Sequence, residues 1–368
     1  TEKTWDGNIK ISDRNIRMDM LGMLDFSNEL PEFDFTLNLA ESNLHRLNFD
    51  RSDTTSRLSM LATANFRGNN IDNLFGEIRL LNSTIRKYGN RLDLYDFTLK
   101  AFNEGGKPAL SVKTDFVDAD LRGYYKFGEI GLVLKSALAA LMPAKFMKPG
   151  LPGDLSSNEF TFSINTKNTD KLNDFFRTGL LLSEKSRLNG SFFRDSLIVL
   201  NADARKLVYR NNTFNNFSLK ARYSGSEFMA DLRSASLLVL GRADLKEFRA
   251  GFEAGSDKMS FDLDWIDRKN ETSRGAFVSR GSFIPREDGR TGSYLLIDID
   301  STDIITKKNT WTIRRSSILV DSGSTKINRF IVSSGVHSWF ADGTVSSNAG
   351  DTLKLFVNGI DLSPLNTK

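Results

Sequence analysis

Apolar and polar residues alternate along this chain in short runs with a period of two, the pattern of strands that bury one face and wet the other. Phe35-Thr36-Leu37-Asn38-Leu39 and Phe160-Thr161-Phe162-Ser163-Ile164 are the clearest. Leu110-Ser111-Val112, Phe261-Asp262-Leu263, Ile297-Asp298-Ile299 and Leu353-Lys354-Leu355 repeat it. Turn-prone stretches such as Asn103 to Pro108 and Glu287 to Gly289 separate the runs.

Laid on itself, the chain repeats. Leu94-Tyr95-Asp96-Phe97-Thr98-Leu99-Lys100-Ala101 matches Phe214-Asn215-Asn216-Phe217-Ser218-Leu219-Lys220-Ala221, and Ile327 to Ser334 is a weaker copy in which Phe330 and Val332 hold the last two apolar positions. The three-residue step between the first two apolar positions breaks strict alternation and predicts a bulge or strand boundary in each copy. A second template sets a leucine eight residues beyond the last apolar position of a strand: Leu39 to Leu47, Ile164 to Leu172, Val357 to Leu365. The segments 43–49 and 169–176 read as short helical turns, with Asn168 or Thr169 as N-cap and Asp170 in the first turn.

One stretch follows a helical period. Between Glu129 and Met147, Leu134, Leu138, Leu141 and Met142 fall at i, i+4, i+7 and i+8, and Pro143 limits the helix. Its apolar part is too short to cross a bilayer. It is read either as packing over a sheet edge or face, or as an interfacial or groove-covering helix.

The pattern therefore predicts a mostly β chain: a long curled, antiparallel, meandering sheet of tandem repeats with a few short amphipathic helices. Approximate units are 1–127, 150–250 and 251–368, with a helical insertion over 128–149. Composition agrees, with 28 Phe against 7 Tyr and 4 Trp, and only 7 Pro. Fifty Lys and Arg against 46 Asp and Glu give +4, too slight and too evenly spread for a nucleic-acid surface. Cysteine is absent, which removes disulfides and thiolate metal sites and leaves an oxidising compartment open. The start at Thr1, with no initiator Met, signal peptide or anchor, is read as a mature or excised piece of a longer protein.

Candidate chemistry is sparse. His45 and His337 have no partner at a metal-ligand spacing, and no nucleophile elbow, Walker loop or dinucleotide turn occurs. Asp262, Asp264 and Asp267, with Asp298 and Asp300, could share a sheet face for a cation or an acid/base pair. With apolar residues between them they read as a solvated outer face, as do Asp118 and Asp120. No catalytic residue, metal or cofactor is expected, and the chain is read as not an enzyme.

The repeat of L-x-x-F-x-L-x-A type, the run Asp115-Phe116-Val117-Asp118-Ala119-Asp120-Leu121-Arg122-Gly123-Tyr124, and the closing Asn358-Gly359-Ile360-Asp361-Leu362-Ser363-Pro364-Leu365 resemble the translocation and assembly module (TamB) family within the AsmA-like group of bridge-like lipid transfer proteins. The helical insertion ending near Pro143 is similar to that of Bacteroidota-type versions. The resemblance runs over essentially the whole chain and implies a β-taco: a periplasmic trough, anchored in the inner membrane, whose apolar interior carries phospholipid toward the outer membrane. It also implies an outer-membrane partner of the Omp85 kind. The anchor and the far C-terminal partner-binding region expected of the family are not in this sequence.

On that reading the groove is lined by Phe35, Leu37 and Leu39; Phe97, Leu99, Leu110 and Val112; Phe160, Phe162 and Ile164; Phe217 and Leu219; Ile297 and Ile299; Phe330 and Val332; and Leu353 and Leu355. Phospholipid is then the cargo. The same residues could also fill a closed core. Two other functions fit the sequence: a scaffold that templates incoming outer-membrane strands along a sheet edge, and an adhesin or carbohydrate-binding repeat protein, for which the few Trp and Tyr are a poor basis.

Overall fold

The computed structural model describes residues 3–146, 158–194, 196–269, 273–286, 292–306 and 309–359. The protein is mostly β, an antiparallel sheet of 24 strands with two helices among the described residues. The chain divides into two compact units: Thr1–Ile130, Ser156–Arg194 and Asn201–Arg210 form the first, and Gly131–Leu155, Asp195–Leu200 and Asn211–Lys368 the second.

The first unit opens with eight strands: β1 (Thr4–Asp13), β2 (Ile16–Asp25), β3 (Glu32–Asn43), β4 (Arg57–Arg67), β5 (Phe75–Lys87), β6 (Asn90–Glu104), β7 (Lys107–Thr114) and β8 (Val117–Tyr124). The helix α1 (Phe127–Leu141) belongs to the second unit from Gly131 on; the first unit resumes with β9 (Glu159–Thr166), α2 (Asp170–Phe176), β10 (Leu180–Leu182), β11 (Arg187–Phe193) and β12 (Leu197–Tyr209), the last from Asn201 on. Each strand from β1 to β9 pairs antiparallel with the next, β9 also pairs with β11, and β10 pairs with β12.

The second unit holds β13 (Asn212–Tyr223), β14 (Glu227–Val239), β15 (Ala243–Gly255), β16 (Lys258–Ile266), β17 (Arg274–Pro285) and β18 (Ser293–Ile299). It continues through β19 (Thr302–Ile305), β20 (Thr310–Ile313), β21 (Ser316–Asp321), β22 (Ser324–Ser334), β23 (His337–Ser346) and β24 (Leu353–Asn358). Consecutive strands pair from β13 to β18; β18 and β19 then act as two halves of one strand against β17, and β20 and β21 as two halves against β22.

All three repeat copies fall on strands, in β6, β13 and β22, and the three-residue step is irregular in each. In β22 the register shifts between Ile327 and Phe330, with Arg329 at φ 46° and its N–H donated to the Asp342 carboxylate at 3.0 Å. In β13 the ladder skips from Asn215 to Ser218 around Asn216 at φ 51°. In β6 the freed N–H groups of Tyr95 and Asp96 donate to Asp115 at 2.5 and 3.3 Å, opposite Asn82 of β5 at φ 48°. In β6 and β22 a carboxylate thus takes the backbone N–H groups that the irregular ladder leaves without a strand partner, on an exposed part of the sheet.

The excursions after β3 and β9 also form. Residues 43–49 make a helical turn, with Leu47 N–H bonded to Asn43 O at 3.1 Å. In α2 Thr169 stands at the N-cap without a side-chain capping bond, its hydroxyl donating instead to Leu182 O at 3.2 Å, and Asn168 accepts the Asp170 N–H at 3.0 Å. Leu365, the predicted turn 287–289 and Met147 lie outside the described residues.

The helix α1 ends before Pro143, as its sequence predicts, but its buried side differs. Leu134 and Leu138 are 46% and 43% exposed, while Val133, Ala137 and Leu141 are buried at i, i+4 and i+8. Ala137, Leu141 and Met142 belong to the second unit and pack within it on Tyr223 and Ala254. Small side chains let a helix approach a sheet closely; the expectation followed the bulkiest residues and placed Leu134 and Leu138 on the wrong side.

Candidate functional site

Directly opposed residues of antiparallel strands point to the same face, so the register can be followed from strand to strand. One row across ten strands of the first unit reads Gly7, Gly22, Phe35, Ala64, Ile78, Leu99, Val112, Ala119, Ile164, Leu188. The next row on that face reads Trp5, Leu24, Phe33, Phe66, Gly76, Ala101, Leu110, Leu121, Phe162, Gly190. Neither contains a polar side chain. The row between them faces the other way and reads Asp6, Met23, Asp34, Asn65, Glu77, Lys100, Ser111, Asp120, Ser163, Asn189.

Leu37 and Phe97 lie in a flanking apolar row with Ile9, Met20, Ala62 and Leu80; Leu39 opposes Met18 and Met60; Phe160 lies between Gly123 and Phe192. All ten predicted lining residues of this unit therefore share one face.

The second unit repeats the design. Tyr223, Phe228, Ala254, Met259, Gly281, Ile297, Ile318, Ile327, Gly343 and Leu353 form an apolar row over β13 to β18 and β21 to β24. Its polar counterpart includes Arg222, Glu253, Ser260, Arg280, Asp298, Ser317 and Asn328. Leu219 falls in a neighbouring apolar row with Leu232 and Ala250, whereas Ile299 lies between Ser279 and Ser316; Phe330 opposes Ala341 and then Leu355, and Val332 opposes Trp339. Phe217 sits one pleat from Leu219 and touches Phe214 edge-on, with ring centroids 5.8 Å apart.

Of the predicted lining residues only Leu39, Leu110, Phe160 and Ile299 are buried; the others are half-buried apart from Leu355, which is 64% exposed. Fully packed core positions lose nearly all their accessible surface. In the apolar rows Ala64, Ala101 and Leu121 of the first unit and Tyr223 and Ala254 of the second are buried as well, while Ile78, Leu99, Val112, Phe162 and Ile164 retain part of their surface. Glycines and alanines in the rows carry little signal of their own in the sequence, where alternation is marked by large side chains. Register across strands, which no single strand reveals, is what shows them.

Three glycines shape the face. Gly22, Gly76 and Gly123, at φ 147°, 126° and 121°, oppose Phe35, Phe66 and Phe160. A Cβ on Gly76 would stand 2.2 Å from Asn65 O, and one on Gly123 2.2 Å from Glu159 O. Only glycine admits this close approach, which kinks the strand beside each phenyl ring.

The other candidates are accounted for by their neighbours. Asp264 opposes Arg249, Asp262 opposes Gly251, Arg280 bonds Asp300 at 2.6 Å, and Lys167 bonds Asp118 at 2.7 Å. Asp120 lies in the polar row, and the Asp267 N–H donates to Ser273 O. His45 Nδ1 is 3.1 Å from Asp50 O, and His337 stacks on Trp311. No cluster of three metal-ligating side chains occurs among the described residues, and none of their helices is long and apolar enough to cross a membrane.

No family model, curated protein or solved structure matches this chain. The two-faced ladder is therefore the feature from which a function must be argued.

Proposed function

We propose that the apolar face carries the acyl chains of phospholipid and that the protein performs no catalysis. On this reading it is a periplasmic piece of a TamB-like bridge between inner and outer membranes, tethered by an inner-membrane anchor and meeting an Omp85-type partner. The observation behind it is the unbroken pair of apolar rows, each ten strands wide, on a face that stays partly accessible. Each CH2 exposed to water costs about 0.8 kcal/mol, so an acyl chain needs a continuous apolar path of this kind. Polar residues at the intervening positions keep the other face wetted.

The test is a photocrosslinking amino acid placed in turn at Phe97, Phe162, Phe217 and Phe330, with Thr98 and Ser163 as outward controls. Lipid adducts are expected at most inward sites and at neither control. Adducts free of lipid throughout would refute the proposal.

A second reading, a scaffold for outer-membrane strands, draws on β24. Leu355, Phe356 and Val357 are 60–64% exposed there, and its ladder among the described residues is to β23 alone. Crosslinks from β24 to nascent barrel proteins, with no lipid at the inward sites, would favour it.

A further inference from the structure

At the strand ends where β7, β8, β9 and β11 approach the start of α1, the first unit holds a cavity of about 630 Å³. Asp72, Tyr124, Tyr125, Lys126, Glu159 and Arg194 are on its wall. It opens where the apolar face ends. Tyr125 belongs to the buried cluster of Leu121 and Phe160, and Phe160 stacks on Phe192 with ring centroids 4.9 Å apart.

The cavity is assembled by one buried side chain. Asn158, fully buried, accepts the backbone N–H of Lys126 on Oδ1 at 2.8 Å, and its own carbonyl accepts the N–H of Arg194 at 2.8 Å. The backbones of two cationic residues far apart in sequence are thereby tied to a single residue. The Nδ2 of Asn158 has no acceptor. Opposite them, the Asp72 carboxylate accepts the Phe127 N–H at 2.8 Å, which ties the β4–β5 loop to the start of the helix.

The charges are balanced, two cations against two carboxylates. Lys126 is 3.2 Å from Glu129 and Glu159 is 3.9 Å from Lys107, while Arg194 has no acidic partner among the described residues. A guanidinium without a carboxylate favours phosphate, and carboxylates with tyrosine rings suit an ammonium.

We propose that this cavity binds the zwitterionic phosphodiester headgroup of a phospholipid, the phosphate on Arg194 and Lys126 and the ammonium toward Asp72 and Glu159, with an acyl chain over the half-buried Phe162 and Phe192. The proposal rests on the reading of the apolar face as a lipid path and adds a headgroup class to it. A cavity of this size is ordinary for a small-ligand site.

The test is calorimetric titration of the whole chain with four probes below their micellar concentrations: palmitoyl-lysophosphatidylethanolamine, palmitoyl-lysophosphatidylglycerol, palmitate and chain-free glycerophosphoethanolamine. The zwitterionic lysolipid should bind at least tenfold tighter than palmitate or glycerophosphoethanolamine. Arg194→Ala should weaken the zwitterionic lysolipid about tenfold and leave palmitate unchanged. Glu159→Gln should raise affinity for the anionic lysolipid relative to the zwitterionic one. Unchanged lysolipid binding by Arg194→Ala, with palmitate still bound, overturns the headgroup site and spares the acyl path. Glycerophosphoethanolamine binding as tightly as the lysolipid overturns it in favour of a free phosphodiester site. Wild-type protein that binds neither lysolipid nor palmitate overturns the lipid reading and this proposal with it.

Discussion

Leu99 and Thr98 are neighbours in β6 that point to opposite faces, and replacing each by aspartate separates the two environments. Leu99 lies between Ile78 and Val112 in the apolar row; Thr98 lies between Arg79 and Lys113. Removing a half-buried leucine forfeits roughly 1–1.5 kcal/mol, half the value for full burial. A carboxylate there has only apolar neighbours across the ladder and is partly desolvated, which adds roughly 2–3 kcal/mol. Leu99→Asp should therefore cost about 3–4 kcal/mol. Thr98→Asp places an anion between two cations, where cross-strand pairing contributes about 0.2–1 kcal/mol, so the change should stay within about 0.5 kcal/mol and lean toward stabilising. The difference of about 3 kcal/mol is some two orders of magnitude in the opening equilibrium. Hydrogen exchange of the β6 amides as a function of urea measures it, and lipid bound per chain gives a parallel readout. Equal losses from the two substitutions would mean that the faces are wrongly assigned.

Three further outcomes are expected. Val112→Phe should cost less than about 0.5 kcal/mol in urea unfolding, because overpacking of about 1–3 kcal/mol arises only where a face is sealed; a loss in that range would argue for a closed core. Gly76→Ala should destabilise the first unit by about 1–3 kcal/mol or more, read as a fall in thermal midpoint, since φ 126° and the Asn65 carbonyl both resist a Cβ; an unchanged midpoint would discount the kink. Asp53 is buried and its carboxylate accepts the N–H of Tyr88 at 2.5 Å, which, with bonds from Thr55, holds its pKa below the usual carboxylate range. A carboxyl depressed in the folded state contributes stability at pH above its unfolded value, so wild type should lose more stability than Asp53→Asn as pH falls below about 4; parallel pH profiles would count against it.

Much of the sheet was legible because alternation is local: a strand such as Phe35 to Leu39 declares its two faces without reference to any other. The repeat was equally legible, and its three-residue step located the irregularities at Asn216 and Arg329. What holds the steps in β6 and β22 was not, since Asp115 lies in the turn after β7 and Asp342 on β23. The helix misled for a related reason. Leu134 and Leu138 are bulky and at helical spacing, but a sheet selects the side that can come close, and that side carries Val133, Ala137 and Leu141. The cavity around Arg194 was invisible in the sequence, because Asn158 reaches partners on two distant segments through one side-chain oxygen and one carbonyl.

The irregularities at the three-residue steps amount to phase shifts in a two-letter code. A deletion of one residue inside β6 on either side of the step would turn every side chain beyond it inside out, whereas removal of the extra residue next to Arg329 would restore a regular ladder between β22 and β23 and keep Ile327 opposite Gly343 and Phe330 opposite Ala341. Length changes in this protein should thus be tolerated in even numbers within strands and freely in hairpins. A damaging single-residue deletion should be suppressed by a second one in the same strand.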